Sequence, residues 1–335
     1  MRAVVIQPLP GIGDMIWHLP HIRALAAHVG APVTVLTKPR SAADQLLRGE
    51  AAVSEVMWLD RNPAAGAGKH DGMGLLRAAH AVRVRDFDAL YLFHHSKSLA
   101  VMARLAGIPA RFGYGFGVQR LFLNRGPFLP AQALRLHPLD QATAWLTMAG
   151  IPMRDTEPTL AIHPDARRSA KQMRGTSNRH FVAVGIGSSE PRKQWGAERF
   201  SALVSALLQA GWPEVVLLGG PAEAALAEEI VSRASAGPGQ ITIVEGAPLG
   251  DVAALLADAA FYVGNDTGVM NIAAAVGTLC FGLFGATPPL CHSTRIIPVV
   301  PAAGEPSGTG MAAITIELVL RTIRAHRSGL GPSAP

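Results

Sequence analysis

Cysteine is nearly absent: Cys280 and Cys291 are the only two, with no CxxC spacing. So few thiols argue against a disulfide-stapled secreted domain and against a zinc site, and read instead as a reduced, intracellular chain. Aromatics are sparse at 6%. With no RNP-like aromatic motif and no zinc-finger spacing, this weighs against nucleic acid as a partner. Long apolar runs are missing too. The opening Met1–Gln7 is a short apolar run closed by Pro8 and Pro10, without the core or cleavage pattern of a signal peptide. The longest uncharged stretch, Thr267–Thr294, is broken by Gly277, Gly282, Gly285 and the Pro288-Pro289 pair, which makes it helix, strand and loop rather than a membrane span.

What is present is positive charge and alternation. The formal net charge is +6, a balance that suits anionic partners such as phosphorylated sugars or anionic lipid headgroups. A length of 335 residues predicts two domains. Strand-like runs alternate with helical patterns through both halves, as in parallel sheets covered by helices. The first half reads as strands at Ala3–Gln7, Val33–Thr37, Val53–Leu59 and Ala89–Phe93, with one long helix near Asp14–His28. The second half reads as strands at Phe181–Ile186, Glu214–Leu218, Ile241–Val244, Phe261–Val263 and Leu279–Leu283. The expected class is α/β with two Rossmann-like, doubly wound domains, spanning 1–160 and 161–311, a ligand cleft between them, and a helix in 312–335 that packs back on the first domain before a frayed tail. Gly150–Arg179, rich in Pro, Arg and Ser, is the expected linker.

Four segments carry chemistry. Tyr262-Val263-Gly264-Asn265-Asp266-Thr267-Gly268 leads an apolar strand through a polar turn into the small-residue helix that contains Asn271. Its first-turn N–H groups and dipole suit a pyrophosphate, although an N-capped turn is the ordinary alternative, and Asp266, which would repel a phosphate, is expected to cap the helix or hold ligand hydroxyls. The loop Pro8–Asp14 carries Gly11 and Gly13 after the first strand. It fails the dinucleotide fingerprint, because Ile16 holds the third glycine position and Thr37-Lys38-Pro39 stands where a ribose-binding acid belongs. Asp14 can accept a proton from an attacking hydroxyl, yet an isolated Gly-Asp is more often a cap. Gly187-Ser188-Ser189-Glu190-Pro191-Arg192-Lys193 is either a diphosphate cradle or a solvated basic loop. Gly219-Gly220-Pro221-Ala222-Glu223 puts a carboxylate at another strand end, to hold a nucleoside hydroxyl or to complement a helix dipole.

In this order the four segments, followed by Gly282-Leu283-Phe284-Gly285-Ala286-Thr287-Pro288, resemble glycosyltransferase family 9, the ADP-heptose:lipopolysaccharide heptosyltransferases of GT-B fold. The resemblance implies Asp14 as catalytic base. It also implies Ser188, Ser189, Lys193, Glu223, Asp266, Thr267 and Gly268 as donor-binding residues, with Asn271 where the family commonly has histidine. Asparagine can donate a hydrogen bond there but cannot carry a proton charge. On the acceptor side, Gly13 adjoins the base, and Arg61, Lys69, Arg111 and Arg120 are candidates for anionic inner-core sugars, each equally ordinary surface charge. His94-His95 closes the fourth strand, and no metal or other cofactor is expected beyond the nucleotide-sugar substrate.

The implied activity is inverting, metal-independent transfer of heptose or a related sugar from an ADP-sugar to a lipopolysaccharide core-type saccharide. The implied setting is a cytoplasmic enzyme, peripheral on the inner face of an anionic membrane. A GT-B nucleotide-sugar epimerase and a non-catalytic nucleotide-sugar-binding protein are the alternatives, and an NAD-dependent oxidoreductase ranks last.

Overall fold

A computed structural model describes residues 1–59, 72–174, 180–289, 292–301 and 310–326. It divides into two compact units, Met1–Pro158 and Thr159–Pro335. Among the described residues no helix is long and apolar enough to cross a membrane.

The first unit runs β1 (Ala3–Ile6), α1 (Ile12–Trp17), α2 (Leu19–Val29), β2 (Val33–Thr37), α3 (Ala43–Leu46), β3 (Val53–Trp58), α4 (Gly72–Arg83), β4 (Ala89–Leu92), α5 (Lys97–Leu105), β5 (Ala110–Gly113) and α6 (Pro138–Met148). Its five strands are parallel in the order β3-β2-β1-β4-β5. Parallel strands with helices on both faces are buried on both faces, which is why β1 and β4 read as unbroken apolar runs and even Thr34 and Thr37 of β2 are buried. The single helix expected near Asp14–His28 is two. Pro20 has no N–H for the carbonyl of Ile16 and its ring crowds that turn, so the chain breaks at His18 and restarts as α2.

The second unit runs α7 (Pro164–Met173), β6 (Phe181–Gly185), α8 (Ala197–Gln209), β7 (Glu214–Gly219), α9 (Ala224–Arg233), β8 (Ile241–Glu245), α10 (Leu249–Ala257), β9 (Tyr262–Asn265), α11 (Gly268–Ala275), β10 (Cys280–Leu283), β11 (Ile296–Val299) and α12 (Ile316–Ala325). Its six strands are parallel in the order β11-β10-β9-β6-β7-β8. The expected linker holds α7, which starts on Pro164 with His163 Nδ1 accepting from the Asp165 N–H at 3.2 Å and packs on α10. The last helix, α12, was expected to cross back onto the first domain. Its Val319 and Ile323 instead bury into the second unit's core with Trp195, Phe200 and Phe281, and it packs on α8, β10 and β11.

Both sheets reverse their strand order once, between β1 and β4 in the first and between β6 and β9 in the second. At such a switch point adjacent loops leave in opposite directions and open a crevice at the carboxyl ends of the strands, where α/β folds bind ligands. The Asp14 loop follows β1, and the loops of Ser188–Lys193 and Asp266–Thr267 follow β6 and β9.

Candidate active site

In the second unit, two buried glycines and a tyrosine set the ends of β6 and β9. Tyr262 lies fully buried with its ring across both strands, so a Cβ at Gly185 would stand 1.8 Å from its hydroxyl and one at Gly264 would stand 2.4 Å from the Gly185 carbonyl oxygen. No other residue fits at either position, and burial pushes the phenol well above its ordinary range. Beyond the glycines Asn265, fully buried, donates through Nδ2 to the carbonyls of Ile186 at 3.2 Å and Gly187 at 3.0 Å. Gln194 Nε2 donates to the same Ile186 carbonyl at 2.9 Å. These bonds hold the two loops of the switch point together, and the apolar surroundings strengthen them. Asn265 was visible in the motif but not assigned a role; a buried amide between two strand ends has no sequence signal beyond its neighbours.

The next residue, Asp266, turns its carboxylate across the switch. Its Oδ2 accepts from Lys193 Nζ at 3.0 Å and from Thr287 Oγ1 at 2.8 Å. Lys193 is placed by a 3₁₀ turn, Pro191–Lys193, and Glu190 lies 3.8 Å from its ammonium. Arg192 holds the Glu190 carboxyl below its usual range and ties the loop to the carbonyl of Ala286 at 3.0 Å. Thr267 is the N-cap of α11 in extended conformation and makes no side-chain cap bond, so the positive end of the helix faces this cluster with Gly268 as its first residue. Asp266 therefore does not cap the helix; it holds the lysine in front of it.

The remaining donor candidates divide. Glu223 Oε2 accepts from the Gly220 N–H at 2.9 Å, and a Cβ on Gly187 would lie 3.8 Å from that oxygen, so the loops after β6, β7 and β9 converge. Ser188 Oγ donates to the Glu190 carbonyl at 2.6 Å and shapes the loop, while Ser189 is exposed. Asn271 is buried one turn into α11, where Nδ2 donates to the Thr267 carbonyl at 3.2 Å and Oδ1 has no partner among the described residues.

In the first unit Asp14 sits in the first turn of α1, after Gly13, with Oδ2 accepting from the Gly11 N–H at 3.1 Å. A Cβ on Gly11 would stand 2.6 Å from that oxygen, which explains the glycine. Burial raises the Asp14 carboxyl above its ordinary value, against the Gly11 bond and the nearby charge of His137, which lower it. A carboxylate with raised affinity for a proton, at a strand's carboxyl end, is chemically a base. Beneath it lies a buried polar set that sequence reading missed. His18 Nδ1 donates to the Asp14 carbonyl at 2.7 Å, since a carbonyl can only accept, and the Gln7 amide lies 3.5 Å from the same oxygen. Burial holds His18 at about 4, His21 at about 3 and His94 at about 4, so all three are neutral near pH 7.

Two acceptor candidates are described. Arg111 donates to the carbonyls of Ile108 at 2.6 Å and Phe122 at 2.7 Å, which makes it a brace for the edge strand β5. Arg120 is exposed, its guanidinium 5.0 Å from the Phe128 ring centre. Arg61 and Lys69 lie outside the described residues.

Residues 75–300 match the family model "Glycosyltransferase family 9 (heptosyltransferase)", a span that contains every second-unit loop above and begins after Asp14. Lipopolysaccharide heptosyltransferase 2 of Escherichia coli K12 is 25% identical over 325 residues, covering 90% of this chain and 88% of that one. Two solved structures share the fold along nearly their whole length. One is a family 9 glycosyl transferase from Veillonella parvula, with TM-score 0.81 at 20% identity, covering 97% of this chain and 96% of that one. The other is an E. coli heptosyltransferase solved with ADP-2-deoxy-2-fluoro heptose, with TM-score 0.74 at 19% identity, covering 97% and 100%. With two parallel sheets, a lysine and helix terminus at one switch point and a family match over more than half its length, the chain belongs to glycosyltransferase family 9, the heptosyltransferases, and has their GT-B fold.

Proposed function

We propose that this enzyme transfers heptose, or a closely related sugar, from an ADP-activated donor to an anionic lipopolysaccharide core saccharide. The observation that carries the donor half is the convergence of the Lys193 ammonium, the Asp266 carboxylate and the N-terminus of α11 at one switch point. A diphosphate leaving group gains charge as the glycosidic bond breaks, and a fixed ammonium with a row of first-turn N–H groups stabilises that charge without reorganising. Asp266, bound to Lys193, is then free to exchange partners and accept from sugar hydroxyls. Glu223 accepts from the ribose. The heptosyltransferase solved with an ADP-heptose analogue supports this donor class by fold.

In the acceptor half Asp14 takes the proton of the attacking hydroxyl, and attack on the face opposite the leaving diphosphate inverts the anomeric centre. Asn271 does not deliver a proton: its amide is committed to the Thr267 carbonyl. The charge demand at the diphosphate is met by Lys193 and the helix terminus, which makes the reaction metal-independent. The test is Asp14→Ala assayed with ADP-heptose and a heptose-deficient core acceptor. Transfer should be lost while titration calorimetry with the donor stays close to the unmodified protein. Retained transfer would remove Asp14 from the mechanism.

A further inference from the structure

The proposed base sits where α1 is cut short. Pro20 supplies no N–H to the Ile16 carbonyl, and the His18 N–H at the end of the helix is shared between the carbonyls of Asp14 at 3.3 Å and Met15 at 3.2 Å. The side chain of His18 makes good that weak closure. Its Nδ1–H reaches back four residues to the Asp14 carbonyl at 2.7 Å, shorter than either backbone bond, and the Gln7 amide points at the same oxygen from 3.5 Å. Gln7 Nε2 also lies 3.4 Å from Nδ1, but two donors do not bond each other, so both converge on the carbonyl. Asp14 is therefore gripped twice: at its carboxylate by the Gly11 N–H at 3.1 Å, and at its backbone by His18.

Packing alone does not require a histidine here. His18 is 1% exposed, its ring lies beside Phe93 and His21 at 6.3 and 5.5 Å between centroids, and Nε2 has no partner among the described residues. A leucine or methionine would fill such a space without burying an unbonded lone pair, which costs stability. What the nitrogen supplies is the bond to Asp14. The second unit repeats the device: Asn271, buried one turn into α11, donates to the Thr267 carbonyl four residues back at 3.2 Å. Each of the two switch-point helices thus carries a buried side chain bonded back into its own first turn.

We infer that His18 is the positioning residue of the base: its Nδ1–H fixes the Asp14 backbone and, with it, the direction and burial of the carboxylate that meets the acceptor hydroxyl. This role rests on the reading of Asp14 as the base. Without the bond the turn relaxes and water reaches the carboxylate, so misplacement lowers kcat and hydration brings the carboxyl back towards its ordinary range. The groups whose charges act on Asp14 and His18 from neighbouring elements are His21 of α2, His94 after β4 and His137 before α6. All three remain in the variants below, so a moved limb reports on Asp14.

The test is the pH profile of kcat for His18→Leu and His18→Asn, with ADP-heptose and a heptose-deficient core acceptor. In His18→Leu kcat should fall roughly tenfold to a hundredfold with the donor KM within about twofold, and the acid limb should move to lower pH by roughly half a pH unit or more. His18→Asn loses the imidazole but keeps a donor, as Asn271 does, so kcat should stay within roughly threefold and the limb should stay in place. Unchanged kcat and limb in His18→Leu would overturn the inference, as would a loss in His18→Asn as deep as that in His18→Leu. Should His18→Leu not fold, His18→Asn decides alone: a tenfold loss, roughly, in a protein with an unaltered melt overturns the inference, and retained transfer supports it. Nitrogen NMR of histidine-labelled protein reads the same bond without turnover. The proton of neutral His18 should sit on Nδ1, and the opposite tautomer would overturn the inference. Transfer by Asp14→Ala would instead unseat the base while leaving that tautomer unchanged, so the two failures read differently.

Discussion

Replacing Lys193 separates its structural role from its chemical one. The ammonium and the Asp266 carboxylate are 3.0 Å apart, with side-chain exposures of 14% and 13%. Coulomb attraction at that distance is about 5.5 kcal/mol at an effective dielectric of about 20, and about half that where residual water raises the dielectric to about 40. Desolvation of both charges offsets part of it, leaving about 2 kcal/mol of coupling. Lys193→Met should therefore cost about 2 kcal/mol in urea unfolding, and Asp266→Asn a similar amount. The double variant should lose about 2 rather than about 4 kcal/mol, because each single change strands the other charge. Transfer should behave differently. If Lys193 stabilises the departing diphosphate as proposed, its loss should remove about 3 kcal/mol of that stabilisation, roughly a hundredfold in kcat, and the second substitution, which costs no further stability, should not restore it. Additive unfolding losses would refute the coupling, and Lys193→Met with kcat within threefold of the unmodified enzyme would refute the role in leaving-group stabilisation.

Three further outcomes follow from the geometry. Burial raises the Asp14 carboxyl, so the folded state holds its proton more tightly than the unfolded chain, and the ionised form costs stability above the raised value; Asp14→Asn should be at least as stable as the unmodified protein in a melt at pH 7 while losing transfer, and a lower melting temperature would contradict this. His18, His21 and His94 are depressed to about 4, about 3 and about 4, so the unfolded chain binds more protons between those values and about 6.5. Stability should fall as pH drops from about 6.5 towards about 4, and His18→Asn, which keeps an amide donor for the Asp14 carbonyl, should flatten the slope in urea titrations at several pH values. Gly185→Ala would press a methyl within 1.8 Å of the Tyr262 hydroxyl, so it should destabilise by about 3 kcal/mol or expel the protein to inclusion bodies, whereas normal solubility and melting would show that the tyrosine can move.

The central strands were legible because they are buried on both faces and read as plain apolar runs. What failed to register were elements whose cores are thin. Only Ala166 and Ala170 of α7 are buried, a face too small to show as periodicity among four charged residues. The strand β11 contains Pro298 and occupies the sheet edge, where the missing N–H costs no ladder bond; the same proline argues against a strand when the sequence is read alone. The long pattern of 312–335 advertised an amphipathic helix correctly but could not say which domain would cover it. At the site, the loops were readable because glycines and polar residues cluster at strand ends. The bonds between loops were not, since Lys193 and Asp266 are 73 positions apart and only the strand order brings β6 beside β9.

That strand order also changes the meaning of Asn271. Set beside the family histidine, it looks like an altered contact to the donor. In the fold its amide bonds four residues back to the Thr267 carbonyl, and its remaining oxygen is enclosed. A side chain so placed fixes the first turn of α11, and therefore the direction of the N–H groups ahead of it. On the proposed mechanism the positive charge at a departing diphosphate comes from elsewhere in the same crevice, and Lys193, paired with Asp266 at 3.0 Å, is the cation that the strand order brings beside the start of α11.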